Sequence, residues 1–130
     1  MDFSNNADIL VTNNPLVEER FRGRLPVEYQ DTPLLEVLIR ARDHIHSGRR
    51  LLTHPLSGSV KPNETPYKSV LISGAGGTTD MQSIHIIEEC IQAVRRFAPK
   101  HISEQHLPDL QAIDLSLIRP AIDQHLGTTQ

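Results

Sequence analysis

Apolar positions along this chain alternate between short continuous runs and stripes with helical spacing, and that alternation sets the order of elements. Asp8–Val11 reads as a short strand, and the turn residues Thr12, Asn13 and Asn14 interrupt it. Asn14 can cap a helix with Pro15 at its first position, where the missing amide hydrogen costs nothing. That helix runs through Val17 and Phe21 to Gly23, and Pro26–Gln30 follows as a second strand. The sequence Asp31-Thr32-Pro33 repeats the cap-and-proline signal. Leu34, Leu35, Leu38, Ile39 and Ile45 then fall on one helical stripe, which Ser47-Gly48 ends.

After a few extended residues, Leu51–Thr53, regular patterning stops until Tyr67–Ser73, which reads as an interior strand. Gly74-Ala75-Gly76-Gly77 breaks that strand. Thr79 is expected to cap a third helix, with Asp80 favourably placed in its first turn. Its buried stripe is Met81, Ile84, Ile87, Ile91, Val94 and Ala98, and Pro99 stops it. Leu110–Ile113 is expected to be a last short strand before a helix over Leu115–Leu126, in which Pro120 limits regularity.

This order predicts a single-domain α/β sandwich, with a mainly parallel central sheet of four to five short strands flanked by helices. The domain is expected over residues 8–126, between flexible tails at 1–7 and 127–130. If the strands are parallel, Thr12-Asn13-Asn14, His54–Lys68 and Gly74–Thr78 converge along one sheet edge, where open α/β sheets hold ligands.

Composition narrows the function. The 130 residues carry 13 basic and 16 acidic side chains, a formal charge of −3, with no block of five like charges. With only five aromatic residues (two Tyr, three Phe, no Trp), nucleic acid is not an expected partner. No apolar run is long enough for a membrane span, and the N-terminus lacks a signal-peptide pattern, so a cytoplasmic location is expected. The single cysteine, Cys90, excludes an internal disulfide or a Cys-x-x-Cys motif. Within the third helix and close to its apolar stripe, it is expected to pack as a small inert residue.

The segment THPLSGSVKPNETPYKS, Thr53–Ser69, is the most informative stretch. Loops of this length inside a compact domain are uncommon and are often functional. Pro55, Pro62 and Pro66 limit its freedom, and six hydroxyl-bearing side chains line it. From Arg49 to Ser69, four basic residues (Arg49, Arg50, Lys61, Lys68) oppose Glu64, a local +3 in an acidic chain. A small anionic metabolite, a carboxylate or a phosphate, suits such a place. The candidate ligand-binding residues are Asn13, Asn14, His54, Ser57, Gly58, Ser59, Lys61, Asn63 and Lys68. Ser57 and Ser59 lack a nucleophile elbow, so no catalytic residue is assigned, and the question of a cofactor stays open. The glycine run matches neither the dinucleotide nor the P-loop pattern. His44 and His46, two apart on a helix, point to different sides and do not chelate, so no metal site is expected. A rival reading makes the proline-stiffened loop a docking surface for another protein or for a second copy of the chain.

VTNNPLV (Val11–Val17), LLTHPLSGSVKPNETPYKSVLIS (Leu51–Ser73) and AIDLSLI (Ala112–Ile118) resemble the GrdX family. These are small proteins of anaerobic bacteria associated with the glycine, sarcosine and betaine reductase systems. The resemblance implies a cytoplasmic accessory role, with a reductase-system protein as a candidate partner, and carries over no catalytic residues. A lone cysteine offers no dithiol for a reductase step.

Overall fold

The computed structural model describes residues 7–56, 61–98 and 100–127. Three strands, β1 (Ile9–Thr12), β2 (Val27–Tyr29) and β3 (Ser69–Ile72), form one sheet in the order β2-β1-β3. Four α-helices cover it: α1 (Pro15–Phe21), α2 (Leu34–His46), α3 (Met81–Arg96) and α4 (Leu107–Leu126). The chain is therefore mixed α/β, as its alternating pattern implies.

β1 lies between its neighbours and has an apolar run because both of its faces are covered. Val11, Val70 and Ile72 pack beneath α2 and α3 with Val37, Leu38, Ile45, Ile87 and Ile91. On the other face, Leu10 and Leu71 meet Val17 and Phe21 of α1 and Leu115, Ile118 and Ile122 of α4. β2 is tied to α2 by Glu28, which accepts from Arg40 Nη1 at 3.2 Å and lies 2.8 Å from His44 Nε2. His44 thus serves the fold through a carboxylate.

Several expectations need correction. Among the described residues the sheet has three strands rather than four or five, and of its two pairings β1–β2 is parallel while β3 runs antiparallel to β1. Leu110–Ile113 is helical, because Leu110, Asp114, Ile118 and Ile122 form one i, i+4 row on α4 and the aspartate hides its apolar character. α4 continues through Pro120. β3 is an edge strand rather than an interior one. Residues 50–53 run beside it: Leu52 donates to the Leu71 carbonyl at 2.9 Å, Ser73 to Arg50 at 2.9 Å, and Leu71 to Thr53 Oγ1 at 3.1 Å. This partial cover explains why every residue of β3 is buried. Asp80, not Thr79, caps α3, its carboxylate accepting from Ser83 N at 3.2 Å.

The antiparallel β3 also corrects the expected convergence. Its start, beside Lys68, lies at the Asn13 end of β1, whereas Gly74–Thr78 leaves at the opposite edge. There Gly48, at φ +106, approaches Gly77 so closely that an added Cβ would sit 3.4 Å from its nitrogen. Gly76 N donates to the Gly48 carbonyl at 2.9 Å, so the run docks α2's exit against α3's entry. Pro99, expected to stop the third helix, lies outside the described residues, and the helix ends at Arg96.

Within the stripe of α3, Ile87 and Ile91 are fully buried while Met81 is 70% exposed. Ile87→Ala is expected to cost about 2–5 kcal/mol in chemical denaturation, the range for emptying a buried aliphatic site. A change within experimental error would show that the α2–α3 packing is assigned wrongly.

Candidate functional site

The end of β1 carries two asparagines that are both buried and use nearly all of their hydrogen-bonding capacity. Asn13 Oδ1 accepts from Lys68 N at 2.9 Å, and its Nδ2 donates to the Thr32 and Pro66 carbonyls at 2.8 and 2.7 Å. Asn14 caps α1 by accepting from Leu16 N at 3.0 Å. Its Nδ2 donates to the Gln111 carbonyl and to Asp114 Oδ2, each at 3.0 Å. The residues that the sequence pattern marks as a turn are thus the junction of five segments.

A directed chain of hydroxyls completes the junction. Thr12 Oγ1 accepts from Asn14 N at 3.0 Å, which leaves its proton for Ser69 Oγ, 2.7 Å away. Ser69 in turn donates to Asp114 Oδ2 at 2.7 Å. Asp114 is 5% exposed, and its two neutral donors satisfy one oxygen of a carboxylate held out of water. Gln111 Nε2 extends the network to Tyr67 Oη at 2.8 Å.

Beside this junction the strand-like cover of β3 stops. Pro55 has no amide hydrogen to continue the pairing, and the chain leaves β3 after Thr53. Both main-chain groups of Leu71 face this cover, so strand alternation turns those of Ser69 the same way. A cleft of about 50 Å³ opens there, lined by Thr53, His54, Pro55, Lys68, Ser69, Asp114 and residues of α4. Lys68 is only 7% exposed. Burial lowers its ammonium pKa below the ordinary lysine value, and the nearby Asp114 carboxylate and Cys90 oppose that shift. Among the described residues it forms no ion pair within 4 Å.

The structure brings together Asn13, Asn14, Lys68 and His54, though the asparagines act as ties and not as open ligand groups. His54 is exposed, and its Nδ1 accepts from Leu56 N at 3.2 Å, so it also orders its own turn. Lys61 is exposed, and its described bonds are main-chain ones: its amide donates to Glu64 Oε1 at 3.4 Å and its carbonyl accepts from Glu64 N at 2.9 Å. Asn63 donates to the Ala98 carbonyl at 3.1 Å and borders a separate, largely apolar cleft of about 390 Å³ with Leu34, Leu35, Val94 and Phe97. Ser57, Gly58 and Ser59 lie outside the described residues. Asp114, Ser69, Thr12, Gln111 and Tyr67 were missed. The available signal for Asp114 was an acid occupying one step of an otherwise apolar i, i+4 row.

The glycine run borders a cleft of about 340 Å³ with Arg50, Thr78 and Asp80. The Asp80 carboxylate already takes the Ser83 amide at the entry to α3, and its charge disfavours a phosphate there. Among the described residues no group of three or more His, Cys, Asp or Glu is placed to hold a metal ion. No helix among them is long and apolar enough to cross a membrane.

Fold and site define a small mixed α/β protein with a buried polar junction beneath its edge strand. The chain belongs to the GrdX-like protein family, whose family model matches residues 9–123. No curated protein and no solved structure matches it.

Cys90 is 3% exposed, and its thiol pKa is pushed up to about 11, chiefly by burial, with the Leu56 amide opposing. At pH 8 this leaves roughly a hundredfold less thiolate than an ordinary thiol, so native labelling is expected to be at least about a hundredfold slower than in denaturant. Because the folded thiol keeps its proton from its ordinary value of 9.0 up to about 11, it binds more protons than the unfolded one in that window. Its contribution to stability therefore falls as pH rises through it. Rapid stoichiometric labelling of the native protein would contradict this.

Proposed function

We propose that this protein is a cytoplasmic accessory protein of glycine, sarcosine or betaine reductase metabolism that recognises a small carboxylate-bearing metabolite in the cleft beside Lys68. The observation that carries this reading is a lysine at 7% exposure with no ion pair among the described residues, on the wall of a polar cleft. Holding a charge out of water is costly unless something compensates it. Asp114 compensates part of it, at a distance beyond ion-pair contact. A ligand carboxylate can supply the rest, with His54, Thr53 and the outward main-chain amide of Ser69 as further donors.

The size of the cleft fits a small ligand. A water needs about 10–15 Å³ of such space, so about 50 Å³ holds roughly four water-sized groups, the scale of a two- or three-carbon acid. The family's association with the reductases of glycine and its N-methylated relatives points to molecules of that scale. Lys61 is not brought to this cleft, so Lys68 alone supplies the charge from the loop.

A thermal-shift screen with two- and three-carbon carboxylates, amino acids, acyl phosphates and nucleotides tests the reading. A ligand at about 100 times its dissociation constant is expected to add roughly 2.7 kcal/mol. Lys68→Met is expected to leave the melting temperature unchanged or raised, since it removes a buried charge, and to abolish the ligand's effect. Lys61→Ala is expected to change neither stability, beyond about 0.5 kcal/mol, nor binding. No stabilisation by any compound, together with self-association in light scattering, would favour the docking reading instead.

A further inference from the structure

We propose that Lys68 is an amine nucleophile that holds a two- or three-carbon aldehyde or α-oxo acid as an imine in the cleft beside β3. The inference rests on the ligand site proposed above and names the chemistry by which that site holds its ligand.

Its first support is that the described hydrogen bonds of residue 68 are all made by its main chain. Lys68 N donates to Asn13 Oδ1 at 2.9 Å, and its carbonyl accepts from Asn13 N at 3.4 Å. The described residues offer the ammonium no ion pair within 4 Å, whereas the exposed Lys100 lies 3.5 Å from Glu64. An apolar residue would fill the position at lower desolvation cost, so the amine is surplus to the architecture. A second support is its company. Thr53, His54, Ser69 and Asp114 line the same cleft, giving donors for a carboxylate, an imidazole for proton transfer, and a carboxylate to stabilise a protonated imine. Burial lowers the lysine pKa, which raises the fraction of free amine near neutrality.

The step balances without an oxidant or reductant. The Nζ lone pair attacks the carbonyl carbon, and the carbonyl electron pair moves to oxygen, which takes a proton. The nitrogen loses one proton to give a neutral carbinolamine. Protonation of its hydroxyl, by His54 or solvent, lets water leave as the nitrogen lone pair forms the C=N bond, and the product is a protonated imine between Lys68 and the ligand, which becomes the neutral imine on losing its N–H proton to solvent. The ligand carboxylate faces the Ser69 amide.

The test uses the full-length protein with glyoxylate and cyanoborohydride near pH 7.5, read by intact mass and peptide mapping. One carboxymethyl group is expected on Lys68, formed at least about tenfold faster than on Lys61 or Lys100, and excess acetate should slow it. Lys68→Arg is expected to lose that modification; should this variant not fold, protection by acetate in the wild type remains the deciding result. Modification of Lys61 and Lys100 with Lys68 untouched overturns the inference. If glyoxylate raises the melting temperature while Lys68 stays unmodified, the imine falls and the recognition site stands. If neither occurs, both fall.

Discussion

The hydrogen bonds of Asn13 and Asn14 are the constraint on which this architecture turns. β1 is only four residues long, and pairing alone would hold its neighbours weakly. Asn13 fixes the end of β2 through Thr32 and the start of β3 through Pro66 and Lys68. Asn14 starts α1 and reaches a hundred residues along the chain to Asp114 on α4. The asparagine side chain suits both tasks, because it presents a carbonyl and two amide hydrogens in one plane. Aspartate at position 14 would still cap α1 but would face Asp114 with a like charge.

From this tie follows the placement of the cleft. Asn13 holds Lys68 against β1, which fixes where β3 begins, while Pro55 fixes where its cover ends. The mismatch between those two points leaves the edge of the sheet open over Ser69, with Asp114 behind it. The junction is therefore a structural device that leaves a polar gap, and the lysine at that gap has no ion pair within 4 Å among the described residues.

Elements with one consistent period were legible from sequence: α1 with its Asn14-Pro15 start, the stripe of α2, the Ile87 and Ile91 row of α3, and the apolar runs of β1 and β3. What could not be read was direction and edge position. Nothing in Tyr67–Ser73 distinguishes an antiparallel edge strand covered by residues 50–53 from an interior parallel one, since both are buried on both faces. Leu110–Ile113 misled because so short a fragment, apolar at three of its four positions, fits either period, and Asp114 broke the row that would have decided it. Asn13, Asn14 and Lys68 were visible as candidates from their segments. Asp114 was not, because its role depends on a contact a hundred residues away.

The most direct test of this account is a double-mutant cycle between Asn14 and Asp114, using Asn14→Ala, Asp114→Ala and the double variant in chemical denaturation. A bond that closes the chain between β1 and α4 predicts a coupling energy of about 1–3 kcal/mol, since either single change leaves a buried polar partner unsatisfied. Additive single effects, with coupling inside experimental error, would contradict it.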